Sequence, residues 1–163
     1  MDGPPEDRGV NFRALEEVFR LREERKGEMR YTLSLSMLEV YNETIRDLLA
    51  GGGKGKGGGE GSKLDIRMGE DGGYEVQGLR LVEVDSLEEL WKLMESGKRN
   101  RAVGAHDMNE HSSRSHSIVS VRVRGESLQG DRSLATVSKL HLIDLAGSER
   151  LSKVGREERR EGR

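Results

Sequence analysis

Eight consecutive residues, Asn109-Glu110-His111-Ser112-Ser113-Arg114-Ser115-His116, set three hydroxyls, an amide and a guanidinium in a polar loop that runs into an alternating apolar stretch. About thirty residues later comes Asp144-Leu145-Ala146-Gly147-Ser148-Glu149, directly after the run Leu140-His141-Leu142-Ile143. That placement puts Asp144 at the end of a predicted buried strand and Gly147 in the turn beyond it. A carboxylate at a strand end and a backbone N–H with no Cβ in front of it suit a magnesium ion and the phosphate it carries. Phosphoryl transfer asks a protein mainly for positioning and charge neutralisation, which hydroxyls, a glycine amide and a carboxylate supply. The two strings read as the sensor half of a nucleotide switch. The other half, a Gly-rich phosphate cradle ending in Lys and Ser or Thr, is not found in the 163 residues.

Other candidate chemistry is weaker. His106, His111 and His116 recur every fifth residue, but five is not a helical period, and no cysteine or close carboxylate completes a metal shell. Lys54 and Lys56 lie in a glycine run, yet neither is followed by Ser or Thr and no strand-to-helix context surrounds them. Arg156, Arg159, Arg160 and Arg163 alternate with Glu157, Glu158 and Glu161, the pattern of a solvated tail. Trp91 sits among helically spaced apolar residues and reads as core.

The elements that must position the switch residues follow from periodicity. Asn11 is read as the cap of a helix reaching about Arg25, with Leu15, Val18 and Phe19 as its buried stripe. From Tyr31 to Tyr41 the chain alternates until Leu38 and Val40 make both faces apolar, which predicts a strand in the middle of a sheet. Residues 50–62, nearly all Gly and Lys, read as a surface loop insertion. Leu64, Ile66 and Met68, a turn at Asp71-Gly72-Gly73, and Tyr74 and Val76 predict a hairpin continuing to Leu79 and Leu81, with a phase slip at Gly78. Ser86-Leu87-Glu88-Glu89 is a capping box opening a helix along Leu87, Leu90, Trp91 and Met94, with Gly97 as its expected stop. Val119, Val121 and Val123 share one face of a further strand, and residues 137–145 form the strand that carries Asp144.

Hydrophobic residues are 33% and charged residues 36%, with 22 glycines, so a chain of this length has a modest core for its size and reads as a piece of something larger. A net charge of −2 gives no field that would draw it to nucleic acid or to a membrane surface, and no apolar run approaches membrane length. The absence of cysteine excludes a disulfide framework and fits a reducing, intracellular setting.

The two strings match, at every fixed position, the switch I pattern N-x-x-S-S-R-S-H and the switch II pattern D-L-A-G-S-E of kinesin motor domains, which this chain resembles. Gly9-Val10-Asn11-Phe12-Arg13-Ala14-Leu15, Ser36-Met37-Leu38-Glu39-Val40-Tyr41-Asn42-Glu43 with Asp47-Leu48-Leu49, and Asn100-Arg101-Ala102-Val103-Gly104 resemble further stretches of the family. The Gly-Val-Asn opening and the Arg-Ala-Val-Gly form are most like the C-terminal-motor, minus-end-directed class. The resemblance runs from residue 9 to 154, between a disordered start at 1–8 and a charged tail at 155–163. It implies an α/β fold: the central part of a kinesin-like P-loop NTPase motor domain, a mixed sheet with flanking helices, incomplete at both ends.

Carried onto this chain residue by residue, the resemblance implies ATP and magnesium as ligands. Ser113 would give its hydroxyl to magnesium and Asp144 would hold the ion through water. Asn109 and Ser112 would line the γ-phosphate, Gly147 would donate its backbone N–H to it, and Arg114 and Glu149 would close the two motifs as a salt bridge. From sequence alone those two side chains are equally compatible with separate solvation. The implied partner is tubulin in microtubules, and the implied location is the cytoskeleton of the cytoplasm. No nucleic acid or membrane insertion is implied, and any dimer would form through segments outside this stretch. Without the phosphate cradle and the relay helix that follows switch II in the family, the isolated chain is expected to be inactive. Two other readings stay open here: a short non-catalytic kinesin-like binding or regulatory module, and an unrelated switch hydrolase whose phosphate loop is supplied in trans.

Overall fold

The computed structural model describes residues 8–50, 64–69, 73–103, 114–128 and 135–147. Within them two helices flank one large antiparallel sheet, and a separate two-stranded ribbon lies beside it. The expected loop insertion at 50–62 and tail at 155–163 fall, but for Ala50, outside the described residues.

Helix α1 spans Val10–Glu24, and its N-cap is Gly9 rather than Asn11. Asn11 instead lies within the first turn and is buried with Leu15, so the helix starts before the residue that was expected to cap it. Gly9 is a tolerable cap because its carbonyl already accepts the Arg13 N–H at 3.2 Å. Val18 and Phe19 pack against the core as the periodicity required. The opposite face is laced by Arg20 to Glu17 at 2.7 Å and to Glu24 at 2.9 Å. The hydrogen bond from Arg20 holds the Glu17 carboxyl below its usual range, but the pair is open to solvent and adds little stability.

Strand β1, Met29–Tyr41, is the spine. It pairs with β6, His116–Ser127, along one edge. Along the other it pairs with β2, Thr44–Asp47, and with β5, Val82–Val84. Being covered on both edges and both faces, it needs the doubly apolar stretch that the sequence shows around Leu38 and Val40. The turn into β2 holds Asn42 and Glu43 at φ 47° and 59°, the left-handed pair of a tight two-residue hairpin. Asp47 then fastens the exit: its carboxylate accepts the N–H groups of Leu49 at 2.7 Å, Ala50 at 3.1 Å and Arg80 at 2.8 Å.

The expected hairpin forms from β3, Asp65–Met68, and β4, Tyr74–Gln77. Its phase slip is real, because Gly78 adopts φ 84° and turns the chain toward β5. Lys139 and Glu75, 2.9 Å apart, tie this ribbon to β7, Ala135–Asp144.

Helix α2, Leu87–Val103, begins as its capping box predicts, with Ser86 Oγ accepting the Glu89 N–H at 3.2 Å. The Glu89 carboxylate reaches back one residue further than expected, to the Asp85 N–H at 3.0 Å. Gly97 does not stop the helix, which continues through Val103. A Cβ at Gly97 would lie 2.6 Å from Met37 Sδ and 2.7 Å from its Cε, so the glycine is there to let α2 approach β1. Leu15, Leu33, Leu35, Met37, Leu90, Met94 and Val121 fill the space between helices and sheet.

The strand carrying Asp144 differs from its expected burial. β7 pairs only with β6 among the described residues, and Val137, Ile143 and Leu145 are exposed while Leu140 and Leu142 lean on the core. An end strand with one packed face alternates where a central one would be apolar throughout.

Gly97→Val should lower stability by about 1–3 kcal/mol in denaturant unfolding, the usual cost of overpacking a filled contact. Glu95→Ala on the exposed face of the same helix should not lower it. An unchanged midpoint for Gly97→Val would remove the packing role.

Candidate functional site

The antiparallel register assembles the site. Val40 on β1 faces His116 on β6, and Ser117 faces Asp144 on β7. The end of β1, the start of β6 and the end of β7 therefore meet at one end of the sheet, and α2 delivers Asn100 and Arg101 to the same place.

Glu39 anchors this end. It is 1% exposed, and a carboxylate cannot be left unpaired at that depth. Its oxygens accept Arg101 Nε at 3.2 Å and lie 3.8 Å from Arg46 Nη1. Arg101 spends its other donors on the motif residues: Nη2 donates to Ser115 O at 3.2 Å and Ser115 Oγ at 2.9 Å, and Nη1 lies 3.6 Å from Asp144 Oδ2. One planar guanidinium thus ties the buried strand, the start of β6 and the end of β7. Asn100 secures the same turn of α2, donating Nδ2 to Leu48 O at 2.8 Å and accepting Arg46 Nη2 on its carbonyl at 2.7 Å.

A second link joins the two motifs directly. His116 Nδ1 accepts the Ala146 N–H at 3.0 Å, which leaves the neutral ring's proton on Nε2. The bond pins the backbone immediately before Gly147.

Of the site residues read from sequence, Asp144 and Gly147 are brought to this end, both exposed, and Arg114 directly precedes the buried Ser115. Asn109, Ser112, Ser113 and Glu149 lie outside the described residues, so the expected Arg114 to Glu149 bridge falls outside them too. The Asp144 carboxylate fits an outer-sphere magnesium ligand. It is an oxygen donor at a strand end, and at 3.6 Å its contact with Arg101 is longer than a hydrogen bond, so its oxygens remain able to accept from water.

The family described as the kinesin motor domain matches residues 1–163. The chain belongs to the kinesin motor-domain family. Its relatives include the kinesin-like proteins KIN-14E and KIN-14J of Oryza sativa subsp. japonica, 46% and 50% identical over 153 residues. They also include KIN-14R of Arabidopsis thaliana, 46% identical over 154 residues. In each case 94% of this chain is covered, but the chain spans only 13%, 18% and 13% of those relatives' lengths. These are of the C-terminal-motor class, in line with the resemblance. A solved structure described as that of a fast kinesin, with implications for ATPase mechanism and interactions with microtubules, matches with a TM-score of 0.77 at 34% identity. The match covers 96% of this chain and 42% of that one. The kinesin fold expected from sequence is thereby established, here with every pairing among the described strands antiparallel.

Three residues of this kinesin site were not picked out as functional from sequence. Glu39 and Arg101 were noted only as parts of family-like stretches, and His116 only as the last residue of the first motif and one of three spaced histidines. Glu39 did carry a signal, since a carboxylate inside a strand apolar on both faces must be paired. His116 carried none, because its acceptor role depends on the register of β6 against β7.

Glu39→Ala should cost about 3–5 kcal/mol of unfolding free energy, since it leaves the half-buried Arg101 without its main counter-charge. A loss under about 1 kcal/mol would mean that the pair anchors little. His116→Ala should speed hydrogen exchange of the Ala146 amide while leaving that of Val121 in mid-strand unchanged. Equal protection of Ala146 in both proteins would remove the proposed pin.

Proposed function

We propose that these residues form the switch-bearing middle of a microtubule motor that couples ATP hydrolysis to movement. What supports it best is the single guanidinium of Arg101, which contacts Ser115 at the end of one motif and Asp144 at the start of the other. A nucleotide switch needs its two loops held at a common point so that both register the same phosphate.

In this reading ATP and magnesium are the ligands. The magnesium, when bound, neutralises charge developing on the phosphates. Asp144 holds the metal's water shell and Ser113 supplies an inner hydroxyl. Ser112 and Asn109 line the γ-phosphate side, and Gly147 offers its N–H with no Cβ to hold the phosphate away. Arg114 and Glu149 latch the loops when the γ-phosphate is present and part when it leaves. The His116 to Ala146 bond limits how far the loop before Gly147 relaxes.

The partner in this reading is the microtubule, and the setting is the cytoskeleton. No helix among the described residues is long and apolar enough to cross a membrane. Since no Lys-bearing phosphate cradle occurs among the 163 residues, they alone would not hydrolyse ATP, and the activity belongs to a motor that includes one.

In a motor containing these residues, Gly147→Ala, which keeps the N–H but sets a Cβ in front of it, should reduce microtubule-stimulated ATPase by about 10²–10³-fold, the typical effect of taking one preorganised donor out of reach. Turnover at the unsubstituted rate would overturn the assignment of Gly147. Strong ATP binding by residues 1–163 alone would overturn the claim that the cradle must come from elsewhere.

A further inference from the structure

We propose that Arg101 is a positioning residue that stands in for the metal at Asp144, a fixed cation that keeps divalent-ion affinity at this site low. The inference rests on the reading of Asp144 as an outer ligand of a metal–nucleotide complex.

The guanidinium is not free to move aside. Its Nε is held by Glu39 at 3.2 Å and its Nη2 by two oxygens of Ser115, at 3.2 and 2.9 Å. Swinging Nη1 away from Asp144 would break these bonds and take from Glu39, whose side chain is only 2% exposed, the nearer of its two cations. Asp144 therefore faces a positive charge whether or not a metal ion is present.

The Asp144 contact is not required for Arg101's structural work. Glu39 and Ser115 already satisfy the buried part of the guanidinium, whereas the Asp144 side chain is 61% exposed and 3.6 Å away. Such a contact adds little to stability. Its effect falls on whatever else binds Asp144. A unit positive charge near a divalent ion, even screened by near-bulk water, would weaken that ion's binding by roughly tenfold.

The test is made in the full-length motor bound to ADP, titrated with Mn²⁺ and read at equilibrium by electron paramagnetic resonance. Arg101→Gln should bind Mn²⁺ about tenfold more tightly than the unsubstituted protein. In an Asp144→Asn background the same change should still tighten Mn²⁺ binding, since the guanidinium repels the ion through space whether or not the carboxylate is there. A purely structural role predicts the opposite sign, with weaker Mn²⁺ binding and a lower thermal midpoint, and that result overturns the proposal. An unchanged affinity overturns it too. If Arg101→Gln does not fold, the double variant Arg101→Gln/Glu39→Gln decides: it removes the guanidinium together with the buried negative charge that it pairs, so Mn²⁺ should again bind more tightly, and unchanged or weaker binding overturns the proposal. If the unsubstituted motor binds no Mn²⁺ with ADP, the metal–nucleotide reading itself fails, an outcome distinct from any of these.

Discussion

The carboxylate of Glu39, placed inside a strand covered on both faces and both edges, is the constraint from which the rest of the site follows. Leaving it charged and alone would cost several kcal/mol, so the fold must bring cations to it. One comes from the neighbouring strand, as Arg46, and the other from the far end of a helix, as Arg101. The second is the expensive arrangement, because it fixes the end of a seventeen-residue helix against one point of the sheet. Gly97 is part of the same constraint. It lets α2 cross close over Met37, four residues before the arginine that meets Glu39. A pair of this kind contributes little net stability, but it specifies a position, and in this protein the position specified is that of the switch motifs.

Once Arg101 is fixed, the motifs inherit its geometry. Ser115 meets the guanidinium with both its carbonyl and its hydroxyl, so the chain leaving the first motif starts β6 at one defined residue. The ladder then does the remaining work. Ser117 opposite Asp144 means that a slip of one residue would turn Asp144 to the other face of the sheet and carry Ala146 away from His116. The start of one motif and the end of the other are thus held through backbone pairing that neither motif's sequence encodes. Hydroxyls and carboxylates in loops gain their precision from a rigid scaffold, here β1 and α2.

The legible parts of this chain were those where local pattern and tertiary context agree. The alternation from Tyr31 onward, the capping box at Ser86 and the Val119, Val121, Val123 stripe each stood for an element the structure contains, because each is a direct projection of a buried face. Gly97 misled because a glycine within a helical pattern has two uses, ending the helix or admitting a neighbour, and only the partner Met37 decides between them. Asn11 misled because a side chain suited to capping is also one that a first turn can bury. The exposure of β7 was hidden for a different reason. Whether a strand is central or terminal depends on what pairs with it, and its own residues report only that one face is packed. At the site, Asp144 and Gly147 stood out from the motif, but Arg101 did not. Nothing in Asn100-Arg101-Ala102 says which of its neighbours in space carries the negative charge.

Burial falls steadily along the three charged groups, and that gradient separates what one arginine does at its inner and outer ends. The Glu39 side chain is 2% exposed, Arg101 21% and Asp144 61%. At the inner end, low dielectric makes the pairing strong and the penalty for breaking it high, so the cation is immobilised. At the outer end, water screens the contact, so the carboxylate exchanges partners at small cost. Reversing the order would give a site of little use: a buried Asp144 would be locked to its arginine, and an exposed Glu39 would leave the arginine free to wander. A fixed charge facing a solvent-exposed carboxylate is what this order of burial produces, and the depth of Glu39 in the sheet is what keeps that charge fixed.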